Sequence, residues 1–237
     1  MHHLKYLKTK QTMNKPSIRF LRYAAVGLWL LCPAAPAADG PGNVRPTNPF
    51  FAFDNGVGSG LKWPPAQQAT TLKALGYAGI GYTGTEHLAE RQKAFRDHGL
   101  KIFSLYVPCH VDRPEPYDPQ LKAAMRQLHD TNVILWLTVQ GKSTNDEIAV
   151  RIVREIADAA RTSGLRVALY PHKGFFVATA EDALRITRQV DRSNAGVTVN
   201  LCHELAAGNA DRMEAILKAC APRLFLVSIN GADRSGG

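Results

Sequence analysis

Three of the eight histidines in this 237-residue chain, His110, His172 and His203, stand just beyond short apolar runs. Imidazole is the side chain whose ordinary proton affinity lies nearest neutrality, so His172 and His203 can take and return a proton around pH 7. Removing a proton beside a carbonyl also requires a positive or hydrogen-bonding group for the oxygen that becomes negative. Lys142 and Lys173, which follow two of the same runs, have that capacity, and Glu204 beside His203 is an alternative base. Asp54, Tyr82, His110, Gln140, Asn200 and Asn230 recur at or just past the ends of such runs and read, with the two lysines, as ligand-binding groups. Tyr170 and His172 share one side of an extended segment, as do Ser228 and Asn230 on theirs.

These residues act together only if the elements before them converge. Strands are predicted at Phe50 to Phe53, Ala78 to Tyr82, Lys101 to Val107, Val133 to Val139, Arg166 to Tyr170, Gly196 to Leu201 and Leu224 to Ile229, mostly rich in β-branched and aromatic side chains. Helices fall between them. Asn145-Asp146-Glu147 opens one carrying Ile148, Ile152 and Ile156 at helical spacing, and Thr179 to Asp182 has the residues of a cap and an acidic first turn. Two earlier helices stop at Gly76 and Gly99. Strands alternating with helices imply right-handed crossovers and a parallel sheet. No GxGxxG follows the first strand, which excludes a dinucleotide-binding reading. The even repeat of roughly 29 residues fits an α/β fold of the (β/α) TIM-barrel kind, with strand ends converging on one face. Seven strands and six helices are expected over residues 50–237, and the eighth unit would fall beyond Gly237.

The formal charge of +9 is unevenly placed. Residues 1–37 hold Lys5, Lys8, Lys10, Lys15, Arg19 and Arg22 and no acid, then a short apolar run ending in Ala35-Pro36-Ala37. This pattern reads as a signal peptide, followed by a Pro/Gly/Asn linker at 38–49, and predicts an exported protein, periplasmic or secreted. The run is too short for a comfortable bilayer span, so no stable membrane span is expected after cleavage. The rest of the chain is left with a net +3, which argues against a nucleic-acid partner. Cys109, Cys202 and Cys220 are odd in number and read as small buried thiols.

The segments Val167-Ala168-Leu169-Tyr170-Pro171-His172, Gly196 to His203 with its Asn200-x-x-His203, and Phe225 to Asp233 together resemble the xylose isomerase-like TIM-barrel superfamily, in its sugar phosphate isomerase/epimerase-like group. The resemblance implies a site at the C-terminal mouth of the barrel and a divalent metal (Mn, Mg, Co or Zn) held by carboxylates and a histidine from the last four strands. Here Tyr170 and Asn200 stand where a Glu and an Asp would be expected, Ser228 lies near the place of a His, and the last Glu would fall beyond Gly237; His203 matches. His203 and Asn200 are therefore the candidate metal ligands. The resemblance further implies a carbohydrate isomerase or epimerase acting by proton transfer next to a sugar carbonyl. Its alternatives are a keto-glycoside lyase or hydrolase using the same proton abstraction, and a non-catalytic sugar-binding barrel with a degenerate metal site. Trp63, Trp136 and Tyr106 can serve as a sugar-stacking platform or as core. A barrel of seven strands leaves two free edges, through which self-association is expected.

Overall fold

The computed structural model describes residues 48–60, 62–143 and 145–236, so the expected signal peptide at 1–37 and most of the linker lie outside the described residues. Seven strands follow one another along the chain: β1 (Ala52–Phe53), β2 (Gly79–Thr83), β3 (Lys101–His110), β4 (Ile134–Gln140), β5 (Arg166–Leu169), β6 (Ala195–Asn200) and β7 (Leu224–Ser228). All neighbours are parallel, in the order β1-β2-β3-β4-β5-β6-β7, and β1 and β7 are not paired with each other. The sheet is thus an open half-barrel of the TIM type.

The helices are α1 (Pro65–Ala74), α2 (Leu88–Asp97), α3 (Leu121–Gln127), α4 (Asp146–Thr162), α5 (Ala180–Val190), α6 (Leu201–Ala206) and α7 (Met213–Cys220). The start of α4 is fixed by Asn145, whose side chain accepts from the Glu147 N–H. Thr179 and Asp182 close a capping box at the start of α5, as their spacing predicts. The helix missing from the sequence reading is α6, a six-residue turn continuous with β6 and too short for a periodic apolar pattern.

Strand β3 runs three residues further than predicted, through Pro108 to His110. The proline is tolerated because β2 has ended: its last pairing is Thr83 with Tyr106. Even-numbered main-chain groups of β3 face that side, as the Tyr106 carbonyl accepting from Gly84 and the His110 N–H donating to Pro116 show. The N–H that Pro108 lacks would have had no strand partner.

Two apolar layers result. The larger lies between sheet and helices and includes Leu105, Leu135, Leu137, Val153, Ile156, Leu169 and Val197. The smaller fills the concave side with Ile134, Trp136, Ala168 and Tyr170, against which Phe53, Tyr106, Phe225 and Leu226 pack. Beside the free edge of β7, Val227 and Ile229 are 53% and 62% exposed. A cleft of about 930 Å³ opens there between the two edge strands, lined by Phe50, Phe51, Phe103 and Phe225 among others. Among the described residues, no helix is long and apolar enough to cross a membrane.

Leu137 is fully buried in β4. Leu137→Ala is expected to lower unfolding free energy by about 2–5 kcal/mol, through lost transfer energy and the cavity left behind, as read by urea denaturation.

Candidate functional site

Period-two alternation along β3 to β6 directs even-numbered residues to the concave side. Its floor is aromatic. Trp136 meets Tyr170 edge-on at 4.5 Å between ring centroids and Phe53 at 5.4 Å, and Tyr106 meets Tyr170 at 5.4 Å. The Trp136 indole N–H donates to the Thr198 hydroxyl at 2.7 Å, so this plug has no unsatisfied indole. Trp136 and Tyr106 are therefore the floor of the mouth.

Above the plug lies a hydrogen-bonded layer centred on Asn200, which is fully buried. Its Oδ1 accepts from the His203 N–H at 3.0 Å and caps α6. Its Nδ2 donates to the Tyr170 hydroxyl at 2.6 Å and to the Ser228 hydroxyl at 3.2 Å. A main-chain N–H can only donate, so the amide oxygen must face α6 and the NH₂ must face Tyr170 and Ser228. Burial raises the Tyr170 phenol above its ordinary range, so it stays protonated and keeps a proton to donate.

The two histidines sit on this layer. His172 and His203 come from the ends of neighbouring strands and their ring centroids are 3.9 Å apart. His172 Nδ1 lies 2.9 Å from the Lys173 carbonyl oxygen, which can only accept. The proton of the neutral ring is therefore on Nδ1, and Nε2 is left as a base. Phe175 stacks on the other side of His172 at 4.2 Å. His203 stands edge-on to Tyr170 at 5.9 Å, and burial, with the His172 ring beside it, lowers its pKa to about 4. At neutral pH His203 is an uncharged imidazole.

The remaining candidates divide by placement. Gln140 and His110 are register partners at the ends of β4 and β3, and Gln140 donates to Thr138 at 3.0 Å. Burial, followed by the Arg113 charge, lowers the pKa of His110. Asp54 is buried and accepts from the Thr83 N–H at 3.0 Å and the Thr83 hydroxyl at 2.7 Å, tying the end of β1 to β2. Lys142, Lys173 and Asn230 are exposed. The structure gives Lys173 a main-chain part, holding the His172 ring through its carbonyl.

Two expectations are corrected. Tyr82 lies on the helix-facing side of β2, packed edge-on against Phe95 at 5.5 Å with the Arg91 guanidinium 4.4 Å from its ring centre. The opposite parity, Gly79, Gly81 and Thr83, faces the concave side. Glu204 is fully buried beneath the mouth, with Oε1 accepting from the Ala180 N–H at 2.6 Å and Oε2 from the Asn209 amide at 2.7 Å. It holds the first turn of α5 against α6, and both oxygens are occupied. Burial raises its pKa, and the two hydrogen bonds act against that rise. Alternation places Tyr170 with His172 and Ser228 with Asn230, and the structure adds what sequence does not show, that Tyr170 and Ser228 are both partners of the Asn200 amide.

A profile of the xylose isomerase-like TIM barrel family matches residues 69–237. The chain belongs to the xylose isomerase-like TIM barrel family. Curated proteins gave no significant sequence match. Among solved structures of this fold, the chain is similar to a 3-keto-D-glucoside 4-epimerase from E. coli, with a TM-score of 0.61 and 16% identity over 72% of this chain and 74% of that one. It is also similar to a xylose isomerase-like TIM barrel protein from Mycobacterium smegmatis in complex with magnesium, with a TM-score of 0.57 and 19% identity over 79% of this chain and 77% of that one. A D-allulose 3-epimerase from Methylomonas sp. aligns with a TM-score of 0.54 and 17% identity over 69% of this chain and 65% of that one. At these identities the likeness establishes the fold.

A divalent metal, as in the Mycobacterium smegmatis family structure, does not fit the donors at this mouth. Hard cations draw on carboxylate oxygens, whereas Asn200 turns its NH₂ inward and its oxygen to the backbone. The carboxylates of Asp54 and Glu204 are committed elsewhere. Among the described residues, no group of three His, Cys, Asp or Glu side chains is placed to hold a metal ion. The expected ligand pair is placed here as a capping amide, Asn200, and a neutral imidazole, His203.

The lowered pKa of His203 has a sign. Between the ordinary value of 6.5 and the folded value of about 4, the unfolded chain binds a proton that the folded chain rejects. Its contribution to stability is complete above pH 6.5 and is lost as pH falls through 4. The slope of melting temperature against pH over that window is expected to be shallower in His203→Gln than in wild type; equal slopes would contradict the assignment. Glu204→Ala leaves the Ala180 N–H and the Asn209 amide buried without acceptors. An expected loss of about 2–4 kcal/mol in chemical denaturation checks its anchoring part.

Proposed function

We propose that this chain handles a sugar or sugar derivative at the mouth of its half-barrel by proton transfer at the carbon next to a carbonyl, without a divalent metal. The observation that carries the reading is the His172–His203 contact over a hydrogen-bonded polar layer, with one ring presenting a free nitrogen and the other held neutral.

Each step has a group placed for it. His172 Nε2 takes the proton from carbon as the C–H pair shifts toward the carbonyl and the carbonyl π pair moves onto oxygen. Neutral His203 and the protonated Tyr170 hydroxyl are the donors for the oxygen that becomes negative, the part a neutral imidazole plays best when its own pKa is depressed. Returning the proton to the opposite face gives an epimer, and returning it to the neighbouring carbon gives an isomer. In a keto-glycoside the same carbanion can expel the substituent one carbon further on, which is the lyase outcome. The names of the neighbouring structures, a 3-keto-D-glucoside 4-epimerase and a D-allulose 3-epimerase, support sugars as the substrate class.

A second reading is favoured by one observation: among the described residues, the groups that touch the histidine pair, Tyr170, Phe175 and the Lys173 carbonyl, are neutral. It is a sugar-binding barrel without turnover. The full chain, incubated in heavy water with D-allulose or a 3-keto-D-glucoside, separates the two. Deuterium at the carbon beside the carbonyl, insensitive to a chelator and reduced by about 10²-fold in His172→Gln and His203→Gln, is the expected result. Saturable binding without deuterium uptake would establish the second reading, and uptake abolished by the chelator would overturn the metal-free proposal.

A further inference from the structure

Beside the mouth, and sharing Phe175 with it, is an open groove of about 1020 Å³ between the β4–α4 and β5–α5 connections. This is at the upper end of the range of small-molecule sites and leaves space beyond a single sugar ring at the histidine pair. Its lining includes Phe175, Phe176, Lys142, Ser143 and Arg185. Phe175 joins the groove to the candidate site, since one face of its ring lies on His172 at 4.2 Å.

The charges of the groove are mostly spent. Arg185 is paired with Asp146 and, at 2.9 Å, with Asp182. Among the described residues the Lys142 ammonium has no such partner, and it is exposed at the groove. Its backbone is nonetheless held in place. Gly141 has φ of +102°, and a Cβ there would run into the Asp112 carboxylate, which accepts from the Lys142 N–H at 3.1 Å. The position of the lysine is therefore set by the β3–α3 connection through a turn that only glycine fits. Aromatic faces are electron-rich and take the polarised C–H face of a pyranose, while the ammonium takes its oxygens; the Ser143 hydroxyl is already held by the Asn145 main chain, donating at 3.0 Å and accepting at 3.0 Å.

We propose that this groove is a second subsite, and that the ligand is a glycoside whose group beyond the glycosidic oxygen lies against Phe175 and Phe176 within reach of Lys142. The inference rests on the reading of the histidine pair as the place of the reacting sugar. It moves Lys142 from oxyanion stabilisation, for which it is too exposed, to ligand selection.

The test compares 3-keto-D-glucose with its phenyl β-glycoside by calorimetric titration of the full chain, alongside deuterium uptake for both. The glycoside is expected to bind at least about tenfold more tightly, with the ratio falling toward one in Phe176→Ala. Lys142→Ala, a surface change that leaves the main-chain bond to Asp112 intact, serves as the second variant and is expected to lower the same ratio with the β-glucosyl-glucose analogue (3-keto cellobiose), whose second ring carries hydroxyls. Equal affinities in wild type, ratios unchanged in both variants, or no binding of any of these probes would overturn the subsite. A preserved preference with no deuterium uptake would leave the groove standing and remove the proton-transfer reading, whereas uptake with no preference would do the reverse.

Discussion

A single main-chain N–H, that of His203, decides which way the Asn200 amide points. Once the amide oxygen has capped α6, its two hydrogens are committed to Tyr170 after β5 and Ser228 at the end of β7. One buried side chain thus joins three consecutive strand ends and the helix that carries His203. The same orientation removes the oxygen a cation would need and leaves a phenol with a proton to give. Capping, alignment of the strand ends and the chemical character of the mouth are one constraint seen from three sides.

Below that layer the aromatic plug keeps the mouth shallow. Trp136, Tyr106, Tyr170 and Phe53 meet largely edge to face, with the indole N–H satisfied inside the sheet. Desolvation by the same packing makes charge costly at the mouth, which is why His203 is held neutral and Tyr170 protonated.

Much of the architecture was legible because its signal is local. The seven strands announce themselves by β-branched runs at an even spacing, and α4 and α5 by caps at their first turns. The extension of β3 through Pro108 was hidden because a proline is read as a break unless the neighbouring strand is known to have ended. Tyr82 shows the other limit: alternation says that Tyr82 and Thr83 face opposite ways, but only packing against Phe95 says which is outside. Glu204 was misjudged because its partners, Ala180 and Asn209, lie on other elements and leave no mark near it in sequence. The histidine pair was legible as residues and illegible as a contact. Residues 172 and 203 meet only because β5 and β6 are adjacent and α6 begins at once after β6.

The strictly sequential strand order also bears on how the molecule is made. Each strand pairs with the one synthesised just before it, so every addition closes a loop of modest length and none has to wait for a distant partner. A sheet of this kind can grow in step with the emerging chain, starting from β1 and β2. The amide hub draws on β5, β6 and β7, the later strands among the described residues, and the imidazoles come into register only after β6 has paired with β5. Until β6 has paired, a nascent chain carries much of its hydrophobic interior while the two imidazoles are still apart.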